Sequence, residues 1–134
     1  MTAVTLDLPD SLVRQAHQAA RLMQRPLEQV LAAVLEAALP GLDDVPSELQ
    51  TRLLEMTWLG DGSLLTIARS TLSEPEQQRL SELGQRAAGL TSEEQAELAL
   101  LRERYGAVTL QKARAYALLS IRSGKALLGQ AAAA

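Results

Sequence analysis

His17 is the only histidine in the sequence, and its acids include two adjacent pairs, Asp43-Asp44 and Glu93-Glu94. Paired carboxylates can share a proton for acid–base work or offer oxygens to a hard cation, and a histidine can act as a base near neutral pH. The spacing here serves none of these uses. Cysteine is absent, which removes a thiolate nucleophile, a cysteine zinc site and a disulfide framework. There is no Ser/His/Asp set, no His-x-x-Glu spacing and no glycine-rich phosphate loop. Asp43-Asp44 falls in a loop. Glu93-Glu94 falls in the first turn of a helix, where the dipole favours acids without any chemistry. His17 falls on the polar side of a helix. The expectation is a non-enzyme with no catalytic residue, no metal site and no cofactor.

The chain has 134 residues, of which 47% are hydrophobic but only 2% aromatic (Trp58, Tyr105 and Tyr116), so its packing rests on Leu, Ala and Val. Trp58 is expected in the core between helices, with an interface anchor as the alternative. No apolar run approaches the roughly 18 residues of a membrane helix, and nothing resembles a signal peptide. A cytoplasmic protein without membrane contact is expected.

The net charge of −3 hides a segregation: residues 1–40 carry −1, residues 43–61 and 74–97 carry −4 each, and residues 102–125 carry +5. The basic segment consists of Arg102, Arg104, Lys112, Arg114, Arg122 and Lys125 against Glu103 alone. It can pair with the acidic segments of its own chain, or it can meet an acidic partner.

The elements that must position these side chains begin with a strand. In Thr2-Ala-Val-Thr-Leu-Asp-Leu-Pro9, the residues Val4, Leu6 and Leu8 alternate with Ala3, Thr5 and Asp7, the period of a half-buried strand. No second strand follows. A lone strand leaves its backbone groups unpaired, and the economical partner is the same strand of a second copy across a two-fold axis. A homodimer is therefore expected, with a core of Val4, Leu6, Leu8, Leu31 and Leu35. A first helix runs from Asp10 to about Gln24 on a stripe of Leu12, Ala16, Ala19, Ala20 and Met23. Gln24-Arg25-Pro26 breaks it. Leu27, Val30, Leu31, Val34, Leu35 and Ala38 line a second helix, closed by Pro40-Gly41.

This strand–helix–turn–helix order resembles the ribbon-helix-helix family of bacterial repressors and antitoxins. The residues that carry the resemblance are Val4-Thr5-Leu6-Asp7-Leu8, the entry Pro9-Asp10-Ser11-Leu12, and the Leu27/Val30/Leu31/Val34/Leu35 core. The resemblance covers about residues 2–39 and implies two strands paired into an antiparallel ribbon that enters the DNA major groove. Ala3, Thr5 and Asp7 would then face DNA, and Arg25 would touch phosphate. It also implies a toxin-like protein partner for the region beyond the ribbon module, with Arg102, Arg104, Lys112, Arg114, Arg122 and Lys125 as the candidate contacts. The sequence departs from the family at Ala3 and Asp7, where the ribbon usually presents Arg, Lys, Asn, Gln or Thr. It departs again at Gln24 and Pro26, where the turn usually holds Gly and then Ser, Thr or Asn. Two functions follow. One is a dimeric DNA-binding antitoxin or autorepressor; the other is a dimeric scaffold that uses the module only to dimerise.

The expected layout is a ribbon-helix-helix module over residues 1–40, a helical partner-binding region over 41–127 and a disordered tail over 128–134. In the helical region Ser47-x-x-Gln50, Ser73-x-x-Glu76 and Thr91-x-x-Glu94 read as capping boxes. The longest helical run, from Ser92 to about Ser123, keeps Leu98, Leu101, Tyr105, Val108, Ala115 and Leu119 on a three–four spacing that fails at Lys112. Gly106 predicts a kink or break in that run, with a second stripe at Leu110, Ala113, Ala117 and Ile121. The fold class expected is mainly α: one strand paired across a dimer, two helices, and a helical C-terminal region.

Overall fold

Three prolines set the starts of three helices. Pro9 (φ −56°), Pro26 (φ −58°) and Pro46 (φ −54°) are the last residues before α1 (Asp10–Met23), α2 (Leu27–Ala38) and α3 (Ser47–Glu55). The ring fixes φ, and the proline carbonyl accepts the first helical bonds, as from the Leu12 and Val13 N–H groups to Pro9 O at 3.0 and 3.1 Å. Three further helices follow: α4 (Asp61–Ala68), α5 (Glu74–Gln85) and α6 (Ser92–Arg122). Short 3₁₀ turns at Met56–Trp58 and Ala87–Gly89 link α3 to α4 and α5 to α6. This is a computed structural model; it describes residues 1–122, the side chain of Ala87 excepted. The chain divides into two units, Met1–Leu39 and the part from Pro40 onward.

The described residues form helices and no strand, which corrects the ribbon-helix-helix reading. Residues 1–9 have no regular structure. Val4 and Leu6, assigned to a dimer core, are 78% and 61% exposed, and Leu35 is 50% exposed, while Leu8 and Leu31 are half-buried. The physical reason is that a strand holds only as part of a ladder, and no described segment offers residues 1–9 a backbone edge. Without a ribbon, nothing carries Ala3, Thr5 and Asp7 into a groove; all three are exposed on the irregular segment. The strand-paired homodimer, the DNA-binding antitoxin or autorepressor with its toxin-like partner, and the scaffold dimerised through the same module all lose their structural basis.

In the first unit α1 and α2 pack as a hairpin. Their contact buries Ala16, Ala20 and Val30. Gln24 ends α1 in the left-handed conformation (φ 52°, ψ 46°), its N–H bonding back toward the Ala20 and Arg21 carbonyls. A glycine fits this position with less strain, because a Cβ crowds the following carbonyl.

The described residues of the second unit form two apolar clusters. One joins Leu53, Met56, Leu64, Ala68, Ala115, Leu118 and Leu119; the other joins Leu83, Leu98 and Leu101, with Leu80 and Leu90 against it. Helix α6 contributes to both, packing on α5 near its start and on α4 near its end. It runs unbroken through Gly106, against the expected kink or break; one glycine costs about 1 kcal/mol in a helix, too little to interrupt a helix packed on both neighbours. Two of the three capping boxes are present. Glu76 N–H donates to Ser73 Oγ and Ser73 N–H to Glu76 Oε1, both at 3.4 Å. Glu94 N–H donates to Thr91 Oγ1 at 3.1 Å and Thr91 N–H to Glu94 Oε1 at 3.2 Å. The third is not: Pro46 takes the capping position, and Gln50 Nε2 donates instead to the Val45 and Leu42 carbonyls at 3.0 and 3.3 Å.

Candidate binding surfaces

The hairpin leaves much of its apolar surface uncovered within its own unit. Val34 (53% exposed) and Leu35 (50%) sit mid-helix on α2, with Met23 (52%), Leu22 (78%) and Leu39 (64%) nearby in sequence. Of these, Met23 and Val34 line a groove of about 460 Å³ on the hairpin, together with Arg25, Gln29, Val30, Ala33 and Ala37. The opposite, polar side of α1 presents Arg14, His17, Gln18 and Arg21, all exposed.

In the second unit a groove of about 600 Å³ opens beside α5 and α6, lined by Thr71, Leu72, Gln77, Leu80, Ser81, Tyr105, Val108, Thr109 and Lys112. None of the described lining residues is a carboxylate. Lys112 is the single charge among them, and makes no ion pair or hydrogen bond to any described residue.

Charged side chains elsewhere in this unit fasten helices together. Arg79 reaches from α5 to Glu97 on α6 with two hydrogen bonds, and Arg86 Nη2 donates to Glu94 Oε2 at 2.8 Å. Hydrogen bonding from Arg79 holds the Glu97 carboxyl below the usual glutamate range and raises the Arg79 guanidinium. The Thr91 N–H, followed by Arg86, holds Glu94 low, and the Ser73 hydroxyl, with a smaller share from Arg104, does the same for Glu76. Arg104 Nη1 lies 2.7 Å from Glu76 Oε2. That oxygen is buried and accepts no well-directed hydrogen bond, so Arg104 compensates it by proximity of charge.

No family model, curated protein or solved structure matches the chain.

The structure separates the five described bases of the six assigned to a partner. Arg122 Nη1 donates to the Leu59 carbonyl at 2.6 Å and to Asp61 Oδ1 at 3.0 Å, and Nη2 to the Thr57 carbonyl at 2.8 Å. Arg114 is buried; its Nη2 donates to Thr57 Oγ1 at 3.1 Å and its Nε to the Leu53 carbonyl at 3.4 Å, while burial pulls the guanidinium pKa down. Arg104 pairs with Glu76 as above, Lys112 lines the groove, and Arg102 is exposed. Lys125 and the tail over 128–134 lie outside the described residues. Arg25 lines the hairpin groove, and His17, Asp43, Asp44 and Glu93 are exposed. Among the described residues no three His, Asp or Glu side chains gather as metal ligands, and no helix is long and apolar enough to cross a membrane.

Trp58 overturns its core expectation: it stands 88% exposed on the 3₁₀ turn after α3. Tyr105, also exposed (56%), lines the α5–α6 groove, which sequence reasoning missed. The available signal was Lys112, a charge on an otherwise apolar stripe.

Proposed function

We propose that this chain is a non-catalytic helical interaction protein whose N-terminal hairpin docks its apolar face on an apolar protein surface. One observation carries the reading: α1 and α2 bury only Ala16, Ala20 and Val30 while Val34, Leu35, Met23, Leu22 and Leu39 are half or more exposed. A unit this small shields too little apolar surface to be stable by itself, and gains most by covering the remainder. The hairpin's near-neutral charge (−1 over residues 1–40) fits attachment by apolar contact rather than by charge. The non-catalytic part is supported by the roles that Glu76, Glu94 and Glu97 already hold, in caps and ion pairs, and by the exposed position of His17. A cytoplasmic address is part of the same proposal.

Fluorescence of an apolar dye in dilute solution tests the surface. Val34→Asp and Leu35→Asp are expected to lower dye binding while helicity is unchanged. Unaltered emission in both variants would remove the hairpin as the docking surface.

A further inference from the structure

The α6 stripe of Leu98, Leu101, Tyr105, Val108, Ala115 and Leu119 is interrupted once, by Lys112. The structure gives the interruption a location. Leu98 and Leu101 belong to the cluster with α5, and Ala115 and Leu119 to the cluster with α4. Tyr105, Val108 and Lys112 fall between the two, and there they line the groove with Thr71, Leu72 and Leu80. A lysine on a core stripe ordinarily sends its ammonium to water past an apolar neighbour. Here its surroundings are a cavity of about 600 Å³, within the size range of small-molecule sites.

No acid on either flanking helix pairs with Lys112. On α5, Glu76 is held by Arg104 and Glu82 by Arg79; Glu74 and, on α6, Glu103 do not line the groove. Among the described residues the groove thus joins apolar walls (Leu72, Leu80, Val108), side chains able to hydrogen-bond (Thr71, Ser81, Tyr105) and one positive charge with no negative charge lining it. We infer that this groove binds a small carboxylate carrying an apolar chain, the carboxylate held by Lys112 and the chain lying against Leu72, Leu80 and Val108. A carboxylate matches the ammonium's charge, and a charge-assisted hydrogen bond in a partly enclosed site is stronger than its counterpart in water. The inference uses no residue of the hairpin and stands independently of the docking reading.

Decanoate is the probe, with decanol as its uncharged counterpart and acetate as the head alone, measured by calorimetry and by amide chemical shifts. Decanoate is expected to shift Thr71, Leu80, Tyr105, Val108 and Lys112, and acetate to shift none of them. Lys112→Met, a swap of similar volume onto an apolar stripe, is expected to weaken decanoate about tenfold or more, the worth of one charge-assisted bond, and to leave decanol almost unchanged. Val108→Gln is expected to weaken both. Shifts confined to residues 22–39, or a Lys112→Met variant that holds decanoate as well as the wild type does, would overturn the inference.

Discussion

Arg79 on α5 and Glu97 on α6 meet through two hydrogen bonds, Nε to Oε1 at 2.7 Å and Nη2 to Oε2 at 2.9 Å. The pair is partly open to water, so its strength is that of a surface contact, improved by the matched fork geometry. With Glu76 and Glu94, Glu97 is one of three carboxyls held below their ordinary range near 4.5. A carboxyl lowered by folding contributes stability that is complete above its unfolded value and is lost as pH falls through its folded value. The denaturation midpoint should therefore hold steady from neutral pH down to the ordinary glutamate range and decline below it. Glu97→Gln should start lower and decline less. Parallel acid limbs for the two proteins would count against a contribution from Glu97.

Gly106 lies inside α6, and a Cβ built there meets nothing within 4 Å. Gly106→Ala should raise stability by about 0.5–1 kcal/mol, the helix-interior difference between the two residues. Urea melts of both proteins measure it; a lower midpoint in the alanine variant would mean that the helix does not continue through this position.

Arg114 carries the end of α3 on α6 by donating to Leu53 O and Thr57 Oγ1 from a site 8% exposed. Arg114→Ala should cost about 2 kcal/mol, because it removes bonds from a charged donor and leaves a gap. Hydrogen exchange should then rise at the amides around Met56–Trp58. Unchanged stability would show that the guanidinium is replaceable by solvent.

Leu83 and Leu64 are both 0% exposed but belong to different clusters. Truncating either to alanine should cost about 2–5 kcal/mol. The distribution of the damage is the sharper test: Leu83→Ala should speed exchange in α5, and Leu64→Ala in α4. Identical exchange patterns in the two variants would merge the clusters into one.

Helix positions were legible in the residues because their signals are local. Pro9, Pro26 and Pro46 preset the entry to a helix, and Ser73/Glu76 and Thr91/Glu94 satisfy N–H groups within one turn. Pro46 also shows where such reasoning slips: its fixed φ moves the cap one residue ahead of Ser47, and the Ser47 box does not form. The segment Val4–Leu8 misled because alternation over so few residues carries little information, and a strand needs a partner elsewhere. The burial of Arg114 and the exposure of Trp58 are set by how α3 ends against α6, a contact across about sixty residues that no periodicity encodes. Lys112 was visible as a break in a pattern. What the break borders, a groove between two cores, required the packing of α4, α5 and α6.

Site-specific photo-crosslinking inside the host cell tests the docking reading most directly. A photoreactive residue replaces Ala37, exposed beside Val34 on the hairpin groove, or Gln78, exposed on α5 as a control. One discrete protein adduct is expected from position 37, absent from position 78 and lost when Val34→Asp is added. The same adducts from both positions, or an adduct from position 37 that survives Val34→Asp, would contradict it.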